Sequence, residues 1–313
     1  MNYIVFDLEW NQSPSGKDGE NPRIPFEIIN IGAVKLDNNL NIIDEFSVLI
    51  RPKIYRELNH ITKDLTGFTM NELNRHGKKF TVACDEFIKW CGDDYALCTW
   101  GALDIFELQR NMAYYKYPLL KAPVFFYDLQ KIYSILYDNG KSFISLENAV
   151  DALNIPTNTN FHQALEDAYY TGLVLQKLDI DTVNKYYSVD YYQVPQNRNE
   201  EFTLVFDKYS KYVSKTFETK VDVMADRVVT STVCYKCGQK LKKKIRFFSD
   251  NSRIYYCLCI CPNDGYLKGK IRIKKSVNNK YFAVKTLKLT DESGAEAIRT
   301  RQIESKKKKA KKA

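Results

Sequence analysis

Tyr3-Ile4-Val5-Phe6-Asp7-Leu8-Glu9-Trp10 is an apolar run, rich in branched and aromatic residues, that carries two carboxylates two positions apart. Its composition predicts a buried strand. Alternate side chains of a strand share a face, so Asp7 and Glu9 are expected to project together. A buried pair of like charges is unfavourable unless a cation or a shared proton compensates it. The pair therefore reads as half of a site for divalent metal, with an edge strand bearing solvated acids as the alternative.

Outward from this run, residues 11–25 are polar and contain Pro14, Gly16, Gly19 and Pro22, the composition of a loop. Residues 28–36 and 42–50 read as two further strands around the turn Asp37-Asn38-Asn39. Helical spacing covers 59–74, broken at Thr66-Gly67, and then 80–91; a strand follows at 95–100 and a helix at 102–115. A short apolar segment spans 124–128, with helices expected at 129–137, 145–153 and 163–178. Strands first, then helices alternating with strands, predict an α/β domain: a mixed sheet with helices packed on it.

The chain of 313 residues is long enough for two domains, and 44% hydrophobic content with 22 tyrosines predicts a folded protein. Neither an 18-residue apolar stretch nor a basic-then-apolar leader is found, so no membrane span and a cytoplasmic location are expected. Charge is divided unevenly. Residues 1–180 carry 17 Lys+Arg against 24 Asp+Glu, whereas residues 181–313 carry 30 against 14. An acidic module joined to a basic one suggests that the second holds a polyanion for the first. The expected organisation is a catalytic domain over 1–180, a helical linker or extension over 181–228 with a helix at 199–216, a basic domain over 229–290, and a basic disordered tail over 291–313.

Two more segments extend the opening pair. In Trp100-Gly101-Ala102-Leu103-Asp104 an acid follows a strand and a glycine turn; in His162-Gln163-Ala164-Leu165-Glu166-Asp167 a histidine precedes an acid in the first turn of a helix. Four carboxylates and one histidine suit phosphodiester hydrolysis with two Mg²⁺ or Mn²⁺ ions, which hard oxygen ligands favour. A histidine titrating near neutrality suits proton transfer from water. Glu166, about 100° around the helix from Asp167, is expected outside the site. His60 and His76 read as ordinary surface histidines, and Trp10 and Phe106 as core residues more than base-stacking ones. Asn11 and Gln12 are the residues offered for contact with a ribose 2′-hydroxyl.

Asp7-Leu8-Glu9, Asp104 and the His162…Asp167 spacing resemble the three motifs of the DEDDh 3′–5′ exonucleases, which have a ribonuclease H-like fold. Ile28-Ile29-Asn30-Ile31-Gly32-Ala33-Val34 is similar to the family's second strand, and Ile61-Thr62-Lys63-Asp64-Leu65-Thr66-Gly67 to its following helix. The likeness covers about residues 1–180 and is nearest to the branch of ERI-type and sporulation-inhibitor-like exonucleases. It implies that Asp7, Glu9, Asp104 and Asp167 bind metal, that His162 is the general base, and that Gln163 stands where a tyrosine variant would have Tyr. Single-stranded nucleic acid, RNA slightly before DNA, is the implied substrate and nucleoside 5′-monophosphates the product. The alternatives are a catalytically silent nucleic-acid-binding or regulatory protein, and a DNA repair or proofreading exonuclease.

The eight cysteines form two groups. Cys84, Cys91 and Cys98 lie among apolar residues and read as buried thiols. Cys234-x₂-Cys237-Gly238 is followed by Cys261-Pro262-Asn263-Asp264-Gly265, a second knuckle with Asp in place of the last Cys. Cys257, Cys259 and Cys261 alternate and are expected to share one strand face. The segment resembles a zinc ribbon, with one structural Zn²⁺ held by Cys234, Cys237, Cys261 and either Asp264 or Cys259. Lysines and aromatics between the knuckles, including Lys240, Lys242, Lys244, Phe247 and Phe248, suit contact with a single strand.

Overall fold

The computed structural model describes residues 1–157, 161–249 and 251–310 in two compact units, Met1–Asp190 and Tyr191–Ala313. In the first, the opening run is β1 (Asn2–Asn11), followed by β2 (Glu27–Leu36) and β3 (Ile42–Leu49). Next come α1 (His60–Thr66), α2 (Met70–His76), α3 (Phe80–Cys91), β4 (Tyr95–Thr99) and α4 (Leu103–Tyr114). The unit ends with β5 (Phe125–Asp128), α5 (Leu129–Asp138), α6 (Leu146–Ala152), α7 (Ala164–Lys177), α8 (Ile180–Val183) and β6 (Ser188–Val189).

The strands form one mixed sheet in the order β3-β2-β1-β4-β5-β6, with β1 antiparallel to β2 and parallel to β4. This is the ribonuclease H-like arrangement of sheet and helices that the motifs imply. Alternation along β1 sorts its residues into two cores. Ile4, Phe6 and Leu8 pack with Phe80, Phe87, Ile105 and Leu108 of α3 and α4. Tyr3 and Val5 pack with Leu129, Ile132, Val150, Tyr170 and Val174 of α5, α6 and α7. Burying each such side chain contributes about 1.5–3 kcal/mol. Asp7 and Glu9 continue the second series, so they emerge beneath α7.

Gly32 sets how closely α7 lies. It pairs with Asp7 across the β1–β2 ladder. A Cβ on Gly32 would stand 2.0 Å from the amide nitrogen of Leu165 and 2.1 Å from the carbonyl carbon of Ala164. The first turn of α7 thus rests on bare backbone beside Asp7. About two turns further along α7, a Cβ on Gly172 would meet Val34 at 3.0 Å, so small residues line both ends of the contact.

The second unit departs from expectation. In place of a helix over 199–216 there is a hairpin, β7 (Phe202–Val205) and β8 (Tyr209–Val213), closed by a bond from the amide of Phe206 to the carbonyl of Tyr209. Leu204, Phe206, Ser210 and Tyr212 are buried at a spacing of two, the strand period. Short helices α9 (Lys220–Ala225) and α10 (Arg227–Thr230) precede β9 (Lys242–Ser249), β10 (Ile254–Cys261), β11 (Gly265–Lys275) and β12 (Tyr281–Leu289). The sheet is antiparallel throughout, ordered β7-β8-β12-β11-β10-β9.

Nor is the C-terminal stretch disordered over its described part: α11 spans Glu292–Ala310. Its Ala295 and Ile298 are buried against Ile245 and Leu258 of the sheet, and Arg299 pairs with Glu292 and Glu296. Two apolar residues three apart were enough to dock a helix that its lysine run made look solvated. The basic excess is concentrated in this unit, with 29 Lys+Arg against 12 Asp+Glu in residues 191–313 and 18 against 26 in residues 1–190.

Because backbone rather than a flexible side chain fills the space over Gly32, Gly32→Ala is expected to destabilise the protein by at least about 1–3 kcal/mol. Denaturant unfolding checks this; a wild-type value would show that α7 does not need this contact.

Candidate active site

Asp7, Glu9 and Asp167 each offer a carboxylate oxygen within 4.8 Å of the others. β1 supplies the first two by alternation, and α7 the third from its first turn. A register shift between Glu9 and Trp10 interrupts the regular β1–β2 pairing just past the pair. Asp104 enters from the other side. Gly101, with φ of 106°, turns the chain out of β4 in a conformation that favours glycine, and Asp104 follows in the first turn of α4. Its carboxylate is buried, accepts hydrogen bonds from the backbone at Asp104 and Leu8, and lies near enough to Asp7 to repel it. It is outside the tightest group of three.

The electrostatics are those of anions crowded without compensation. Burial, then Asp104, Glu9 and Asp167, hold the Asp7 carboxyl well above the usual carboxylate range. Glu9 is pushed to about 8 by burial and by Asp167 and Asp104, and Asp104 to about 7, chiefly by burial. Asp167 is raised by burial, against a backbone hydrogen bond from His162 and its nearby charge. One oxygen of Asp167, Oδ2, accepts the His162 amide at 3.1 Å; the other, Oδ1, is buried with no hydrogen-bond partner among the described residues. An orphaned carboxylate oxygen beside two more carboxylates is a donor set fit for a divalent cation.

His162 sits at the mouth of this cluster. Its backbone is left-handed, with φ of 77°, and its side chain is exposed. Glu166 is not one of the gathered carboxylates. His60 and His76 are exposed, and Trp10 packs on Phe26 with ring centroids 5.5 Å apart. Asn11 corrects an expectation: it is fully buried, its amide donating to the carbonyl of Glu57 at 2.9 Å and accepting from the amide of Asn59. Its groups hold the loop before α1 and do not face a ribose. Gly32 is the residue that the motif reading passed over, although a glycine inside a strand marks a close backbone approach.

In the second unit, Cys234, Cys237, Cys261 and Asp264 also gather within 4.8 Å. Gly238, donating to the carbonyl of Cys234 at 2.9 Å, closes the first knuckle; Cys261 ends β10, and Asp264 lies in the turn to β11. Asp264 Oδ2 is 3.1 Å from Cys234 Sγ and 3.3 Å from Cys261 Sγ, while the Cys237 and Cys261 sulfurs are 3.4 Å apart. The thiols of Cys234, Cys237 and Cys261 draw the Asp264 carboxyl below its ordinary value. Cys259 lies outside this group and is 3.8 Å from Cys257 instead, two strand positions away. Three sulfurs and one oxygen are a donor set that a soft divalent ion could occupy.

A mixed α/β fold thus gathers carboxylates from β1, α4 and α7 over the end of its central strand, a donor set suited to divalent cations. The family model RNase_T, described as Exonuclease, matches residues 4–175, and the chain belongs to that exonuclease family. Among solved structures, it is similar to cell-death related nuclease 4, with a TM-score of 0.48 and 20% identity over 60% of this chain and 65% of that one. The nuclease domain of 3′hExo, a DEDDh family member bound to rAMP, gives 0.48 and 21% over 56% and 90%. An E. coli ExoI–ssDNA complex gives 0.47 and 17% over 58% and 42%. The match therefore spans less than two thirds of the first and third of these chains. No curated protein matches the sequence. Among the described residues no helix is long and apolar enough to cross a membrane.

The pKa shifts fix a pH dependence. Folding favours the protonated form of Glu9, whose carboxyl rises from 4.5 to about 8. The associated stability is complete below the unfolded value and is lost as pH rises through the folded one. Without added divalent cation, the melting temperature should fall as pH rises from about 4.5 to about 8 and level off above that; Mn²⁺ should restore more of it at the higher pH, where fewer protons must leave. Glu9→Gln should flatten the fall. Melting curves with and without Mn²⁺ test this, and a cation-free protein that grows more stable over that range would contradict it.

Proposed function

We propose that this enzyme is a metal-dependent 3′–5′ exonuclease that removes nucleoside 5′-monophosphates from single-stranded nucleic acid. The observation carrying the reading is the buried set of Asp7, Glu9 and Asp167 with Asp104 beside it and an unpartnered Asp167 oxygen. Asp7, Glu9, Asp104 and Asp167 would hold two Mg²⁺ or Mn²⁺ ions. Bound there, such cations supply positive charge that favours an ionised nucleophile and stabilises the departing oxygen.

The chain's own residues do the rest. His162 accepts the proton of the attacking water from its exposed position over Asp167. The water oxygen bonds to phosphorus, the bond from phosphorus to the 3′-oxygen of the preceding nucleotide breaks, and that oxygen takes up a proton. The shortened chain keeps a 3′-hydroxyl. Histidine at position 162 and Gln163 beside it favour the histidine branch over a tyrosine variant.

Asp7→Asn is expected to abolish stepwise shortening of a 5′-labelled oligonucleotide with Mn²⁺. His162→Ala should lower kcat by about 10²–10⁴-fold. Matched RNA and DNA strands in the same assay rank the substrates. EDTA-sensitive hydrolysis undiminished in Asp7→Asn would refute the reading.

We also propose that Cys234, Cys237, Cys261 and Asp264 hold one structural Zn²⁺, supported by their gathered donor atoms. Purified protein should contain one zinc per chain, and Cys237→Ser should lose it and melt earlier. Elemental analysis showing no zinc in intact protein would remove that assignment.

A further inference from the structure

β11 carries Lys268, Lys270, Arg272 and Lys274 at alternate positions, while Leu267, Ile271 and Ile273 between them are buried in the cores beneath the other face. Alternation places the four cations in a line on one face of the sheet, at steps of about 6.8 Å. Their cross-strand partners on β10 are Leu258, Tyr256 and Ile254, opposite Lys268, Lys270 and Arg272. On the other side, Lys288 of β12 stands opposite Lys268. α11 docks on this same face through Ala295 and Ile298 against Leu258, and brings Arg301 to the row.

Arg301 and Lys270 converge on one aromatic ring, their charged groups lying 4.4 and 5.6 Å from the centroid of Tyr256. Tyr256, Arg301, Ile254 and Asn251 line a half-open hollow of about 180 Å³. Ion pairs elsewhere in the unit use Arg198, Lys280 and Arg299. Among the described residues Lys268, Lys270, Arg272 and Arg301 form none. The charges that Lys270 feels are Arg272 and Arg301, which with burial draw its ammonium below its ordinary value. Lys268, Lys270, Arg272 and Arg301, crowded together with no ion pair among the described residues, are a surface that an anionic partner would relieve. Aromatic faces among them add a platform for bases, which an anionic lipid surface would not use.

We propose that this row, Lys268, Lys270, Arg272 and Lys274 with Tyr256 and Arg301 beside it, is the track on which the second unit grips the phosphodiester backbone of a single-stranded nucleic acid. The inference rests on the nuclease reading and adds where the strand is held. Each single-strand phosphate contact contributes about 0.7 to the slope of log affinity against log salt.

The test uses the full chain in the Asp7→Asn background, so that a labelled oligo-dT or oligo-U is not consumed. Binding is followed by anisotropy across a salt series. Lys268→Gln/Lys270→Gln/Arg272→Gln should weaken binding and reduce the slope by about 2. The single change Arg272→Gln should reduce it by about 0.7. Lys220→Gln/Lys275→Gln/Lys280→Gln removes the same charge away from this face and should leave the slope unchanged; unaltered melting curves establish that both triple variants are folded. Equal slopes for the two triple variants, or binding by the wild type to phosphatidylserine vesicles with none to either oligonucleotide, would overturn the track. A track variant that binds like the wild type would remove this inference alone, whereas residual hydrolysis in Asp7→Asn would remove the nuclease reading and leave the binding result standing.

Discussion

Everything in the first unit turns on the repulsion among Asp7, Glu9, Asp104 and Asp167. Burial raises all four carboxyls and their neighbours' charge adds to it at Asp7, Glu9 and Asp104, so the unit holds them together against their own electrostatics. What overcomes the repulsion is packing elsewhere. β1 is anchored on both faces, by Phe6 against Phe87 and by Val5 among the side chains of α5 to α7, and its last residues carry the acids as a consequence of alternation. α7 is pressed onto β2 through Gly32 and Gly172, which places Asp167 where a larger residue at 32 would keep it away. A site assembled against an adverse interaction is suited to gain a cation, because binding then relieves a cost that folding has already met.

The parts of this arrangement legible in the sequence were those with a local physical signature. A strand of period two with acids at positions 7 and 9, a glycine turn before Asp104, and a periodic helix behind His162 depend on neighbours within a few residues. The hairpin at 202–213 also had its signature, buried residues two apart around Asp207-Lys208, but its tyrosines and mixed charges resembled a solvated helix. α11 was hidden by its lysines: Ala295 and Ile298 are too few to announce an apolar face, and their burial depends on Ile245 and Leu258, which lie about fifty and forty positions earlier. Asn11 failed for the same reason. Its partners Glu57 and Asn59 become neighbours only when the chain folds back.

The cysteine cluster changes its meaning once the second sheet is seen. A ribbon of some 45 residues would need metal for lack of a core. Here the knuckles clasp one end of a six-stranded sheet that has apolar packing on both faces, with Leu267 and Leu287 near the thiols, Ile271 and Val223 further along, and α11 opposite. An ion at Cys234, Cys237, Cys261 and Asp264 would then fasten the segment before β9 to the β10–β11 turn, and most of the sheet would keep its own core. The exclusion of Cys259 follows from this geometry, since it points into that core two positions before the turn.

The division of charge between the units is more than a difference of totals. The carboxylates that suit cations also repel a polyanion, and on the proposed reading the basic unit offsets that repulsion. A net excess of positive charge would do this only weakly in physiological salt, where fields decay over about 8 Å. The row on β11 sets neighbouring cations at strand steps of about 6.8 Å, inside that decay length, so they act together on a strand laid along them. Position along the strand, and the alternation that keeps the four on one face, then count for more than the number of lysines in the unit. That is why the run at 306–309, with four charges in fewer residues but no sheet to align it, is the weaker candidate for the grip.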